Sequence, residues 1–325
     1  MPIPAVMQER LRLPVIGAPM FIVSVPALVI AQCQAGIVGS FPALNARPPE
    51  MLETWIVEIK DALAAFEAAT GSKAAPFAVN QIAHASNDRL EHDVAVCVRQ
   101  RVPIIITSLR PPSEVVEAVH GYGGIVLHDV ISIRHAEKAL EQGVDGLILV
   151  CAGAGGHAGT LSPFALVSEI RRFYDGTVIL SGAIATGRGI LATQAIGADL
   201  AYVGTRFIAT AEANAGDGYK RMLVEGTAKD IVYTDAISGV NGNYLRPSLV
   251  AAGLDPDNLP AGGKDKMNFA ARERNRPTAW RDIWGSGQGL GSIDDVPGVA
   301  VLVDRLCAEY AEAGRALDAV RFRAG

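Results

Sequence analysis

Residues 143–205 read GVDGLILVCAGAGGHAGTLSPFALVSEIRRFYDGTVILSGAIATGRGILATQAIGADLAYVGT, and their rhythm decides the fold. Three runs, 146–150, 177–182 and 200–205, are rich in Val, Ile and Leu at nearly every position. Strands buried on both faces of a parallel sheet have that composition. Between them, 163–173 and 187–196 carry apolar residues at helical spacing. Gly-Val-Asp at 143–145 and Gly-Ala-Asp at 197–199 each end a helix just before a strand, the glycine supplying a left-handed turn.

The same unit recurs upstream. Strands are expected at 15–20, 36–41, 77–82, 102–109 and 124–130, and helices at 48–69, 89–101 and 132–142. Eight β/α units by residue 205 predict an α/β protein with a closed (β/α)8 TIM barrel. An open doubly wound sheet normally uses fewer strands, and no GxGxxG follows the first strand. After residue 205 the pattern stops. Residues 212–291 are richer in Asn, Gly, Pro and charge and are expected to form a smaller, mostly helical lid inserted after strand eight. Residues 296–323 read as one amphipathic helix returning to the barrel. The expected division is therefore a barrel of 1–211 and 292–325, with 212–291 covering its mouth.

Composition narrows the function classes. The 325 residues are 50% hydrophobic and 19% charged with mean hydropathy +0.25, which requires a large core and excludes disorder. A net charge of −5 with no basic stripe argues against a nucleic-acid binder. No apolar run reaches the ~18 residues of a membrane span. The start, MPIPAVMQERLRLP, makes a poor signal peptide, and a cytoplasmic protein is expected. Cys33, Cys97, Cys151 and Cys307 lie far apart without a CxxC pair, which suggests neither a disulfide frame nor zinc, and nothing indicates a metal requirement.

In such a barrel the chemistry sits at the C-terminal ends of the strands. Those ends deliver Ala18-Pro19-Met20, Asn80-Gln81, Thr107-Ser108, His128-Asp129, the loop from Cys151 to Gly159, Ser181-Gly182-Ala183 and Gly204-Thr205. Strands seven and eight each end in a glycine beside a hydroxyl residue, with a helix start following. Backbone N–H groups and a helix dipole there can hold a phosphate without a lysine. CAGAGGHAGT (151–160) surrounds His157 with four glycines, which let backbone approach a flat ligand while the imidazole serves as a base. His84, His92, His120 and His135 read as solvated or packing residues, and Cys151 as structural. His128 and Asp129 are open between a site role and a strand-end turn. Ala18-Pro19-Met20 can line a flat ring, with backbone N–H groups facing its heteroatoms. In the excursion, Asn241, Asn243, Tyr244 and Arg246 are open between substrate contacts and a cap on the barrel, while Trp280 and Trp284 read as core anchors.

APM after strand one, PFAVN, AGAGGHAG after strand six, SGAIATGRG after strand seven and GADLAYVGTRF at strand eight appear in that order. Together they resemble the flavin-dependent nitronate monooxygenases, formerly 2-nitropropane dioxygenases, over roughly residues 13–210. ISGVNGNYLRPSL and WRDIWGSGQGLGSI resemble members of the same family. The resemblance implies FMN at the barrel mouth. Ala18, Pro19 and Met20 would line the ring and Asn80 would hydrogen-bond it. Gly155 and Gly156 would pass close to it, and Ser181, Gly182, Gly204 and Thr205 would hold the phosphate. His157 matches the catalytic histidine. Val150 and Tyr202 stand at cofactor-contacting positions where the family commonly has Gln, Gly153-Ala154 replaces a Glu-Ala pair, and Asp129 stands where one reductase-like branch has a lysine. The implied reaction is oxidation of an alkyl nitronate by O2 to a carbonyl compound and nitrite. NAD(P)H:quinone reductases and enoyl-ACP reductases share the scaffold and are the alternative. Lys264, Lys266 and Arg272 are open between binding such substrates' phosphates and an ordinary solvated surface. Partners would be a small-molecule substrate and O2, with no nucleic acid and no membrane, and a homo-oligomer stays open.

Overall fold

The computed structural model describes residues 3–110, 112–260, 262 and 280–319. In chain order its strands up to residue 203 are β1 (Val15–Gly17), β2 (Gly39–Pro42), β3 (Phe77–Ala83), β4 (Ile104–Leu109), β5 (Ile125–Val130), β6 (Gly146–Val150), β7 (Gly156–His157), β8 (Thr177–Ser181) and β9 (Leu200–Val203). All but β7 belong to one parallel sheet in the order β1-β9-β8-β6-β5-β4-β3-β2. The sheet closes where Ile16 bridges Val38, with Gly17 N donating to Val38 O at 2.8 Å and Val38 N to Val15 O at 3.1 Å. The expected barrel forms, with its first two strands trimmed. Pro19 has no N–H to give a ladder, so β1 stops before it, and Gly36 lies at φ +88°, outside strand geometry.

The helices between strands are α1 (Pro26–Gln34), α2 (Met51–Thr70), α3 (Leu90–Arg99), α4 (Ser113–His120), α5 (Ile133–Glu141), α6 (Pro163–Ile170) and α7 (Gly187–Ala195). Gly143 and Gly197 take the left-handed turn at φ +82° and +107°. The aspartates after them tie adjacent strands at the barrel bottom. Asp145 accepts from Val126 N at 2.7 Å and Asp199 from Val178 N at 2.8 Å, Asp199 also pairing with Arg171 at 2.6 Å.

Because strand side chains alternate, one parity faces the barrel axis. Ile16, Ala78, Ile104, Ile106, Leu127, Ile148, Ile179 and Leu200 fill the interior, and Met7 plugs it from the N-terminal segment. One layer higher, the same parity carries Asn80, Ser108, Asp129, Val150, Ser181 and Tyr202 into the mouth.

After β9 come α8 (Thr205–Ile208), α9 (Asp217–Glu225), β10 (Ile231–Thr234), β11 (Gly242–Leu245), α10 (Arg246–Ala251) and α11 (Val299–Ala319). The excursion was expected to be mostly helical, but its described residues are organised by a hairpin. β10 pairs antiparallel with β11, and β11 takes β7 as a third strand, Gly242 opposite His157 and Asn243 opposite Gly156. The returning helix is α11, which packs on α7 and α1; positions 320–323 of the expected helix lie outside the described residues. Among the described residues no helix is long and apolar enough to cross a membrane.

Candidate active site

The top of the barrel opens into a cavity of about 660 Å³. His157 and every position expected to touch a cofactor line it: Ala18, Pro19, Met20, Asn80, Val150, Gly155, Gly156, Ser181, Gly182, Tyr202, Gly204 and Thr205. How they line it differs from the expectation in two places, and a third place decides between readings left open.

The first is the segment after β1. Ala18 N donates to Val203 O at 2.9 Å, Met20 N donates to Ser24 Oγ at 2.9 Å, and Pro19 has no N–H. These residues therefore offer a ligand an apolar wall and carbonyl oxygens, and no donors. Asn45 fixes the wall from behind by donating to Met20 O at 3.0 Å and Ser24 O at 2.8 Å.

The second is the phosphate turn after β8. Gly182 and Ala183 have φ +141° and +55°, a tight bend that keeps residues 182–185 on the cavity. The amino terminus of α7 is already covered, however. Thr186 Oγ1 accepts from Gly189 N at 3.1 Å and the Glu309 carboxylate of α11 accepts from Gly187 N at 2.7 Å. The helix dipole there faces a protein carboxylate, so an anion in the cavity meets the loop and not the helix end. After β9, α8 is a single turn, and Thr205 Oγ1 already accepts from Gly287 N at 2.9 Å.

The third is at the end of β5. His128 falls on the outward parity, 1% exposed, with Nδ1 and Thr107 Oγ1 2.7 Å apart, and it does not line the cavity. Burial lowers its pKa to about 4 and keeps it neutral. Asp129 faces the mouth instead. Its Oδ2 accepts from Ser108 Oγ at 2.6 Å, and Ser108 accepts from Asn80 Nδ2 at 2.8 Å. Asp129 Oδ1 and the Tyr202 hydroxyl are buried without a hydrogen-bond partner. Desolvation pushes the Asp129 carboxyl up to about 6.

The loop after β6 is held by the excursion. Asn243 Nδ2 donates to Ala154 O at 2.6 Å, Ala158 N to Asn241 O at 3.3 Å, and Tyr233 to Ala158 O at 2.9 Å. Gly156, at φ +69°, passes so close to Trp280 that a Cβ would sit 3.0 Å from the indole. Gly155 and Gly287 interleave, a Cβ on the first meeting Gly287 N at 2.8 Å and one on the second meeting Gly153 O at 2.6 Å. Gly285, Gly287 and Gly289 all line the cavity and were missed as site residues; the alternating glycines of GSGQGLG were the available signal.

His157 Nε2 lies 2.8 Å from Ser238 Oγ, which also donates to Val240 O at 3.1 Å and lies 3.0 Å from the Tyr244 hydroxyl. Ser238 has one proton, and a carbonyl can only accept it. The imidazole therefore donates through Nε2–H and keeps Nδ1 as its acceptor. Burial lowers the His157 pKa to about 4. Trp280 packs edge-on against the ring at 5.6 Å, lining the cavity as well as anchoring the core, whereas Trp284 stacks on Tyr219.

The remaining candidates stand apart. Cys151 is buried and its thiol is pushed up to about 12 by desolvation. His84, His92 and His120 contact Ser86, Asp93 and Asp145. His135, read as a solvated or packing residue, is exposed and reaches the cavity rim. Tyr244 is fully buried, and Arg246 pairs with Asp257 at 2.9 Å. Lys264, Lys266 and Arg272 lie outside the described residues.

A closed β/α barrel with a glycine-walled mouth, a polar floor and a neutral histidine strapped over it is the framework of a barrel oxidoreductase. The chain belongs to the nitronate monooxygenase family, whose model matches residues 6–309. It is 28% identical to a nitronate monooxygenase of Paraburkholderia phytofirmans over 75% of this chain and 76% of that one. Over 95% of both chains it is 24% identical to (3aS,4S,5R,7aS)-5-hydroxy-7a-methyl-1-oxo-octahydro-1H-indene-4-carboxyl-CoA dehydrogenase of Rhodococcus jostii. Among solved structures, the nitroalkane oxidase of Streptomyces ansochromogenes matches with a TM-score of 0.77 at 25% identity, covering 96% of this chain and 100% of that one. Members of the family are flavoenzymes acting on small molecules.

Proposed function

We propose that the chain is an FMN-dependent nitronate monooxygenase that oxidises alkyl nitronates with O2 to a carbonyl compound and nitrite. The observation that carries this reading is His157, neutral and fixed by Ser238 over a cavity that fits a flavin. The fit rests on features of the cavity itself. Its volume, about 660 Å³, lies in the range of cofactor sites. Ala18, Met20 and Val150 give an apolar wall, and the glycines of 153–156 and 285–289 let backbone close on a flat ring. Asp129 Oδ1 and Tyr202 OH, buried and unpartnered, call for a ligand edge carrying both an N–H and a C=O, as a flavin pyrimidine does. Residues 182–185 and Gly204 would hold the phosphate.

Bound there, FMN would supply the electron transfer between substrate and O2. The protein's part is orientation and proton handling. With Nε2–H committed to Ser238, Nδ1 of His157 is the acceptor for the α-proton of a neutral nitroalkane, which it would convert in the site into the nitronate that is then oxidised. It has no proton to offer an anionic nitronate, so removing the α-proton is the role this arrangement favours over stabilising the anion. The described residues of 212–291 act as the substrate cover, supplying Ser238 and Trp280 to the mouth of a barrel formed by the described residues of 1–211 and 292–325.

The near-full-length similarity to the indene-carboxyl-CoA dehydrogenase of Rhodococcus jostii supports a second reading, an oxidoreductase acting on a thioester or quinone with NAD(P)H. One experiment separates the two. The FMN-loaded protein is mixed anaerobically with NADH, NADPH or an alkyl nitronate, and nitrite is assayed after O2 is admitted. The expected result is a flavin band that persists with both nucleotides and bleaches with the nitronate, with nitrite formed in air. Bleaching by a nucleotide without nitrite production replaces the first reading with the second. A protein that takes up no FMN overturns both.

A further inference from the structure

Asp129 is the one carboxylate among the described residues that line the cavity, and the reading above gives it a hydrogen bond to the ligand edge but no part in moving protons. β5 carries it into the mouth, where Ser108 of β4, itself bonded by Asn80 of β3, donates to Oδ2. Oδ1 has no partner. On β6 the neighbouring mouth residue is the apolar Val150, and on β8 it is Ser181. β9 supplies Tyr202, whose unpartnered hydroxyl is pushed up by its own burial and by the charge of Asp129. No lysine or arginine lines the cavity among the described residues; the other titratable side chains there are His135 on the rim, His157, Tyr219 and Tyr233. His128, adjacent in sequence, faces away and contacts Thr107.

An ionised Asp129 is thus a buried negative charge with one hydrogen bond, no cation and an open oxygen toward the ligand space. Two like charges at close range in such a place cannot both persist. We infer that Asp129 is a proton acceptor coupled to charge in the barrel mouth, binding a proton when negative charge is placed on the ligand ring and releasing it when that charge leaves. The inference rests on the flavin reading of the cavity. Electrons reach the ring from the substrate, or from dithionite in a titration, and the proton comes from solvent to the carboxylate, so the added negative charge is offset at Asp129. Desolvation already raises this carboxyl to about 6, so a modest further rise carries it across neutrality.

The test is a spectroelectrochemical titration of the FMN-loaded full chain against pH, for wild type, Asp129→Asn and Ser108→Ala. Wild type is expected to take up one more proton per two electrons than Asp129→Asn over a window opening near pH 6. Asp129→Asn should have the higher midpoint potential at alkaline pH, because no carboxylate then opposes the incoming charge. Ser108→Ala removes the hydrogen bond that favours the carboxylate and should move the window to higher pH. Equal slopes in wild type and Asp129→Asn overturn the inference while leaving FMN binding intact. If Asp129→Asn cannot hold FMN, an unmoved window in Ser108→Ala overturns it. Failure of wild type to bind FMN overturns the flavin reading and the inference together.

Discussion

At the scale of a residue, the reactivity of His157 depends on which ring nitrogen the scaffold takes. Ser238, with Val240 and Tyr244 around it, takes Nε2 and leaves Nδ1 for chemistry. Ser238→Ala removes the acceptor that fixes this tautomer and frees the ring to rotate. A lost hydrogen bond of about 1 kcal/mol corresponds to a fall in kcat of about fivefold. KM and FMN affinity should stay at wild-type values, and Ser238→Thr should restore the rate. His157→Asn removes the base itself and is expected to lower kcat by about 10²–10⁴-fold with the flavin spectrum unchanged. Steady-state kinetics on a neutral nitroalkane decide the matter. A Ser238→Ala enzyme with normal kcat, or a His157→Asn protein that sheds its flavin, would show that the pair serves structure.

At the scale of an element, two glycine-rich loops far apart in sequence form one wall. Alanine at Gly287 would place Cβ 2.6 Å from Gly153 O and 3.0 Å from Gly155 N, backbone on both counts, so the loops must separate. The expected cost is about 1–3 kcal/mol, seen as weaker FMN binding in a flavin fluorescence titration. Gly291→Ala is the control, since its nearest neighbours would lie at 3.8 and 4.0 Å, and it should bind FMN like wild type. Equal affinities in the two variants would mean the wall does not depend on this interleaving. The first of these loops was legible in the sequence because its glycines cluster around a histidine and follow a fully apolar strand. The three-stranded sheet built on the excursion's hairpin was not, because its third strand, β7, is a two-residue strand about 85 positions before β11, and no local pattern records that pairing. The choice between His128 and Asp129 turned on strand parity, which a run read only as strand-like leaves undecided. The segment Ala18-Pro19-Met20 lines the cavity, yet its N–H groups are spent on Val203 and Ser24, partners invisible from the segment itself.

At the scale of the whole molecule, three desolvated groups contribute to how stability responds to acid. His128 and His157 titrate near 4 in the folded chain, against about 6.5 when unfolded. Their stabilising contribution is fully present above pH ~6.5 and is lost as pH falls toward 4, on the order of 3 kcal/mol for each. Asp129 runs the other way. With its carboxyl raised to about 6, its contribution is complete below the unfolded value of about 3.9 and disappears as pH rises through 6. Between pH 6 and pH 4, unfolding thus takes up about two protons at the histidines and returns about one from Asp129, so acidification destabilises the protein in that window. Thermal melts are expected to show a lower Tm at pH 5 than at pH 7. His128→Gln should flatten that decline, and because His128 lies outside the cavity, bound FMN cannot account for the change. Asp129→Asn removes the opposing contribution, so it should raise Tm at pH 7 and steepen the fall toward pH 5. Parallel wild-type and His128→Gln profiles would mean the His128 proton equilibrium is the same folded and unfolded, and the outward, desolvated placement of that ring on β5 would have to be abandoned.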